Sequence, residues 1–295
     1  MPKVSVIIPT FNRAVKTTRA VASVLTQRYK DLEIIVVDDC STDNTEQALA
    51  CYISSIKYIK KRTNSGVSAA RNTGIKHSTA PWIAFLDSDD YWLKDKLLAQ
   101  MEFIDNNPEV LACQTEEIWI RNGKRVNPKN KHRKPSGNIF EESLALCLVS
   151  PSSVILKRSL LENVGLFDET LPAAEDYDLW LRISCRYPIY LLDKELVVKE
   201  GGHKDQLSRQ FTGMDRFRIK AIVKLINNRE LSPEQMEMAI TELSFKCGVY
   251  GKGCIKRRRT KEGNFFVSLP DRMIKGETVF LNDSGFFDAE TKGLL

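Results

Sequence analysis

Four β-rich runs alternate with helix-spaced segments across residues 4–105, and this confines the chain to an open sheet flanked by helices. The runs are residues 4–8, 32–37, 56–59 and 82–86. Apolar residues at helical spacing follow in 15–25, in about 45–53, in 67–76 after Asn64-Ser65-Gly66, and in 94–105. Asp43 is the expected cap of the second helix, with Glu46 three residues on. Short connections between such elements predict a mostly parallel sheet. Beyond Pro108 the pattern loosens: strands are expected at 110–120 and 152–157, separated by a polar, basic loop at 121–138. A helix is expected over 175–186, broken by Pro188. After Arg209 the periodicity is purely helical, through Phe217, Ile219, Ile222, Val223, Leu225 and Ile226 and then 236–249, with Pro233 and Glu234 in the first turn. From Thr260 onward the polar, glycine-bearing tail predicts no firm element.

Three of the strand ends are polar. Pro9-Thr10-Phe11-Asn12-Arg13 follows the first run, Asp38-Asp39-Cys40-Ser41 the second, and Asp87-Ser88-Asp89-Asp90 the fourth. Neighbouring parallel strands bring their carboxyl ends to one rim, where α/β sheets bind ligands. Bunched carboxylates repel unless they share a cation, and hard oxygen ligands suit Mg²⁺ or Mn²⁺ bridging to a substrate's phosphates. The competing reading of the third cluster is a helix cap, with Asp89 or Asp90 before the 94–105 helix. No Gly-x-Gly-x-x-Gly follows the first strand and no phosphate-loop signature occurs, which argues against a dinucleotide dehydrogenase and a P-loop nucleotidase.

Composition sets the outer bounds. With 42% hydrophobic and 28% charged residues, the 295-residue chain reads as a soluble globular protein. No apolar run approaches the roughly 20 residues of a membrane-spanning helix, and the N-terminus has no signal-peptide pattern, so a cytoplasmic location is expected. Seven scattered cysteines, with no Cys-x-x-Cys, predict reduced thiols. The net charge of +6 gathers at Lys124, Arg125, Lys129, Lys131, Arg133 and Lys134, and at Lys256, Arg257, Arg258 and Arg259. Such runs are solvated loops or contacts for an anionic lipid surface or acidic substrate; no nucleic-acid motif accompanies them.

Val6-Ile7-Ile8-Pro9-Thr10-Phe11-Asn12-Arg13, Ile35-Val36-Val37-Asp38-Asp39-Cys40-Ser41-Thr42-Asp43, Asn64-Ser65-Gly66-Val67-Ser68-Ala69-Ala70-Arg71-Asn72-Thr73-Gly74 and Phe85-Leu86-Asp87-Ser88-Asp89-Asp90 resemble, in order and spacing, the motifs of family 2 glycosyltransferases. The resemblance runs from Lys3 to about Ser208. It implies an α/β GT-A fold, with a nucleotide-binding half at about 1–107, an acceptor half at 108–208 and a helical extension with a polar tail at 209–295. It further implies an inverting transfer from a nucleotide-sugar donor, usually UDP-linked.

Carried over by position, Pro9, Thr10, Phe11, Asn12 and Arg13 lie beside the nucleoside. Asp39, with Asp38 as rival, accepts a hydrogen bond from the base, and Arg71 faces the uridine or diphosphate. Asp87, Ser88 and Asp89 form the Asp-x-Asp motif, with Asp89 on Mn²⁺ or Mg²⁺ and Asp87 on the ribose or the metal's water. Asp176 is the expected general base, since an acceptor hydroxyl must lose its proton as it attacks. Glu175 and Trp180 are assigned to the acceptor, with helix-dipole and core roles as the competing readings. His203, between flexible glycines and Leu207, is assigned to metal or phosphate. No Gln-x-x-Arg-Trp follows, so a single-addition enzyme acting on a glycan or lipid-linked saccharide is expected rather than a processive synthase. The terminal helices are expected on the acceptor side or in a homodimer contact, and the basic segment after them at an anionic membrane. The rival enzyme is a sugar-phosphate nucleotidyltransferase, whose glycine-rich, lysine-bearing first loop is missing here; the other rival is an inactive sugar-nucleotide-binding relative.

Overall fold

The computed structural model describes residues 1–127, 129–202, 211 and 213–281. The first half runs β1 (Val4–Thr10), α1 (Ala14–Leu25), β2 (Leu32–Asp38), α2 (Thr45–Leu49), β3 (Lys57–Lys60), α3 (Gly66–His77), β4 (Trp82–Phe85), β5 (Tyr91–Trp92) and α4 (Lys96–Asn106). There follow β6 (Ala112–Arg121), β7 (Lys124–Val126), α5 (Phe140–Ala145), β8 (Ile155–Lys157), α6 (Arg158–Val164), α7 (Glu175–Ser184) and β9 (Tyr190–Gly201). Three helices close the described chain: α8 (Asp215–Asn227), α9 (Pro233–Lys256) and α10 (Thr260–Ile274).

Helices cover both faces of the sheet, so β1 is buried along its whole length and reads as an unbroken apolar run. It continues through Pro9, which pairs with Val37, to Thr10. The glycine at position 74 sets how closely α3 can lie on β1: a Cβ there would come within 2.3 Å of Ile7 Cγ2.

Strand order is β3-β2-β1-β4-β8-β6-β9-β5, with β7 on β6. The first four strands are parallel. The expectation of a mostly parallel sheet extends to β6 and β9, which pair in parallel from Cys113 to Arg121, while β8 runs antiparallel to both β4 and β6, and β5 antiparallel to β9. β6 and β7 are joined by a short turn at Asn122-Gly123, which antiparallel pairing permits.

The tail from Thr260 departs from expectation. Residues 260–274 form a helix, and Gly263, which weakens the helical signal in the sequence, is what lets it dock: a Cβ on Gly263 would lie 2.7 Å from the Gly251 carbonyl oxygen on α9. A capping box between Ser232 and Gln235, with Pro233 in the first turn, opens α9 as expected. The helical extension shares one apolar core with α5 and α7, through Phe140, Leu144, Tyr177 and Leu181 against Phe217, Ile222, Leu243 and Phe266. The helix that begins with Glu175 and Asp176 is thereby clamped from behind. No helix among the described residues is long and apolar enough to cross a membrane, and all seven cysteines are free.

Candidate active site

Strands β2, β1 and β4 are adjacent and parallel, so their carboxyl ends meet on one rim as the motif spacing implies. The first two loops are stitched together. Asn12 takes a left-handed conformation (φ 52°) and its Oδ1 accepts from the Thr42 and Asp43 amides at 2.7 and 3.2 Å. The Asn12 amide donates to Ser41 Oγ at 2.8 Å. Phe11 is exposed beside this join, and the Thr10 hydroxyl is buried against Thr17.

Both rival aspartates are buried, Asp39 at 3% exposure, and Asp38 is fully enclosed. Ser41 N donates to its Oδ1 at 2.7 Å and the Tyr58 hydroxyl to its Oδ2 at 2.5 Å. Burial, and then the bond to Asp38, hold the Tyr58 phenol far above its ordinary pKa. Asp38 therefore braces the sheet. Asp39 accepts from Ser65 N, Gly66 N and Lys61 Nζ, which joins its loop to the start of α3.

The third loop divides its carboxylates. Asp87 (27% exposed) and Asp89 (15%) open toward solvent, whereas Asp90 is buried. Asp90 accepts from Ser152 Oγ at 2.7 Å and the Glu200 amide at 3.1 Å, and burial pushes its pKa well above the ordinary value despite Lys199. It caps no helix: α4 begins at Lys96, after Asp95. Ser88 is buried in the turn between Asp87 and Asp89. Arg13 Nη1 donates to Asp89 Oδ2 at 3.0 Å, and Arg19 to the Asp89 carbonyl at 2.8 Å.

Arg71 joins this loop to the expected base region. From α3 its guanidinium donates to Asp87 Oδ1 and to Glu175 Oε1, both at 2.7 Å, and packs 5.1 Å from the centre of the Phe167 ring. Burial works against its charge, but Asp87 and Glu175 outweigh it and raise its pKa. Residues 87 and 175, 88 positions apart in sequence, are thus fixed to one another through a single fork.

Ala174, in the left-handed region at φ 61°, turns the chain into α7 and sets Asp176 at the helix start. Asp176 is half-buried; its Oδ1 accepts from the Tyr177 amide at 2.7 Å and its Oδ2 from the Cys147 thiol at 3.4 Å. Asp178 points away, binding Arg182 and Lys224 between α7 and α8. Two acceptor assignments are corrected. Trp180 is 1% exposed among Leu179 and Ile183 in the core. Glu175 is 5% exposed and committed to Arg71. Period-3.6 packing of α7 turns both inward while Asp176 stays on the open side. His203 lies outside the described residues.

Burial first, and then repulsion from Asp176, push the Glu175 carboxyl up to about 7 from an ordinary 4.5, against the pull of Arg71. The folded chain therefore holds this proton over a pH range where the unfolded chain has lost it, and stability falls as pH rises from about 4.5 to 7. Thermal unfolding of wild type and Glu175→Gln between pH 4.5 and 8 should show the wild type losing on the order of 2 kcal/mol relative to the variant. A constant difference across that range would contradict the assignment.

Several polar groups here carry no sequence signal. The turn at residues 150–153 receives Lys199 Nζ on Ser150 Oγ (3.1 Å), the Asp87 amide on Ser152 Oγ (3.1 Å) and Lys134 Nζ on Ser153 Oγ (2.7 Å). Lys134, expected in an exposed basic loop, is instead buried in an ion pair with Glu117 at 3.1 Å. Only a lysine inside the apolar run Val197-Val198-Lys199 hints at this arrangement.

The glycosyl transferase family 2 profile matches residues 5–165. The chain belongs to that family. An uncharacterized glycosyltransferase of Rickettsia conorii is 36% identical over 196 residues, 66% of this chain but only 32% of the relative, so the match spans about a third of that protein. The UDP-Glc:alpha-D-GlcNAc-diphosphoundecaprenol beta-1,3-glucosyltransferase WfgD of Escherichia coli is 35% identical over 181 residues, covering 61% of this chain and 69% of WfgD. Among solved structures, S. aureus TarS 1-349 in complex with UDP-GlcNAc matches with a TM-score of 0.64 at 21% identity, covering 93% and 92% of the two chains. The mannosyltransferase PcManGT of Pyrobaculum calidifontis, in complex with GDP-Man and Mn²⁺, matches at 0.59 and 18% identity, over 94% and 88%. These likenesses establish the GT-A fold.

Proposed function

We propose that this family member is an inverting glycosyltransferase that moves one sugar from a UDP-linked donor to a hydroxyl of a lipid-linked saccharide. The observation that carries the reading is the Arg71 fork, which holds Asp87 of the donor rim against Glu175 and so sets Asp176 beside that rim. Asp176 takes the proton of the acceptor hydroxyl; the acceptor oxygen bonds to the anomeric carbon, and the sugar's bond to the diphosphate breaks on the opposite face. Phe11, Arg13 and Asp39 flank the nucleoside.

Among the described residues no three His, Cys, Asp or Glu side chains gather as a metal cage. A cation shared with substrate phosphates needs only one or two protein carboxylates, and Asp89 and Asp87, both part-exposed hard donors, fit that need. Bound there, Mn²⁺ or Mg²⁺ would neutralise charge developing on the leaving diphosphate. The UDP donor and lipid-linked acceptor draw support from the activity named for WfgD. Lys256, Arg257, Arg258 and Arg259, all exposed at the turn from α9 to α10, suit the anionic bilayer that would carry such an acceptor.

A panel of sugar nucleotides with Mn²⁺ tests this reading. A UDP-sugar should raise the unfolding temperature by mass action, and with a diphosphoundecaprenol-linked saccharide should release UDP. Release of pyrophosphate from a nucleoside triphosphate and sugar phosphate would instead identify a nucleotidyltransferase, and stabilisation without turnover an inactive relative.

A further inference from the structure

The cations of the site are unequally committed. Arg71 is spent on Asp87 and Glu175, and Arg13 bonds Asp89. Lys199, on β9, is different. Its one hydrogen bond goes to a neutral group, Ser150 Oγ at 3.1 Å, and it forms no direct ion pair among the described residues.

Beside it, the buried Glu117 carboxylate is matched by Lys134 at 3.1 Å. Burial opposes ionisation of Glu117, but Lys134 and then Lys199 overcome it and hold its pKa down to about 2. The ammonium is therefore braced from one side by a closed pair. Burial would lower the pKa of Lys199 as well, yet the carboxylates of Glu117, Asp90, Asp87 and Asp176 together raise it. Three of those four belong to the loop of the Asp-x-Asp motif or are the expected base. A charge with a fixed position and no direct ion pair acts on everything that enters the site, with a sign set by Coulomb's law.

We propose that Lys199 is a positioning residue of the donor site: a built-in cation, held by Ser150, that offsets the carboxylates around Asp87 and Asp176, favours an entering diphosphate and weakens the grip of the site on a free divalent cation. This rests on the donor reading above. Its particular consequence is that anion and cation affinities move in opposite directions when the charge is removed. Damage to the fold would lower both.

Calorimetric titrations of UDP in EDTA, and of Mn²⁺ alone, into wild type, Lys199→Met and Lys199→Arg test it. Lys199→Met should weaken UDP about tenfold and tighten Mn²⁺ by about the same factor, with Lys199→Arg close to wild type on both. Ser150→Ala, which keeps the charge but removes its brace, should shift both in the same opposed sense by about two- to threefold, and decides the matter if Lys199→Met does not fold. Affinities that fall together, or that stay unchanged, overturn the proposal. A wild type that binds neither probe overturns the donor reading, and this inference with it.

Discussion

Asp176→Asn is expected to lower transfer about 10³-fold while leaving affinity for the donor nucleotide within about twofold of wild type. Asparagine is nearly isosteric and still accepts from the Tyr177 amide, the bond that seats this side chain at the start of α7. It cannot accept a proton. The surrounding fork of Arg71, Asp87 and Glu175 is untouched by the change, so the donor rim should keep its shape. The measurement is a turnover assay alongside nucleotide titration. Transfer and binding that both survive would remove Asp176 from the role of base, and a parallel loss of both would make it a binding residue.

The largest effect on stability is expected from Arg71→Met, at about 3–5 kcal/mol. The guanidinium is buried and directly paired to two carboxylates, one of them also buried. Methionine fills much of the space but leaves Glu175 without the partner that favours its ionised form. The penalty should therefore be smaller at pH 6 than at pH 8, because Glu175 can take up a proton at the lower pH and shed its buried charge. Arg71→Lys should recover only part of the loss, since one ammonium cannot reproduce a fork that reaches Asp87 and Glu175 at once. Denaturant unfolding at the two pH values measures this. A penalty below about 1 kcal/mol, or one independent of pH, would show that the fork is not what ties the two halves of the site together.

Much of the rim of polar strand ends was legible because its signals are local. An apolar run ending in carboxylates marks a strand end, and adjacent parallel strands place such ends together whatever lies between them. The roles within each cluster were less legible. Asp38 and Asp39 are both buried and differ in their partners, whereas Asp90 differs from Asp87 and Asp89 in being enclosed. That depends on Tyr58 and Ser152, which lie 20 and 62 residues away. Glu175 and Trp180 look like acceptor contacts on a helix opening with acids, yet their faces of α7 turn to Arg71 and to the core. The helix at 260–274 stayed hidden because Gly263 and Pro270 lower local propensity, a cost offset by close docking on Gly251 and by burial of Phe265, Phe266 and Leu269.

By itself the sequence determined the alternating layout, the rim of polar strand ends, and the family. These follow from periodicity and from residue types at short spacing, which any fold of this class must respect. Only the tertiary structure decided which carboxylates remain open to a ligand, that Arg71 spans the site, and that Lys134 pairs with Glu117 while Lys199 rests on Ser150. The physical reason is that burial and charge pairing are set by contacts between segments distant in the chain. A carboxylate or lysine alone carries no mark of the partner that will enclose it.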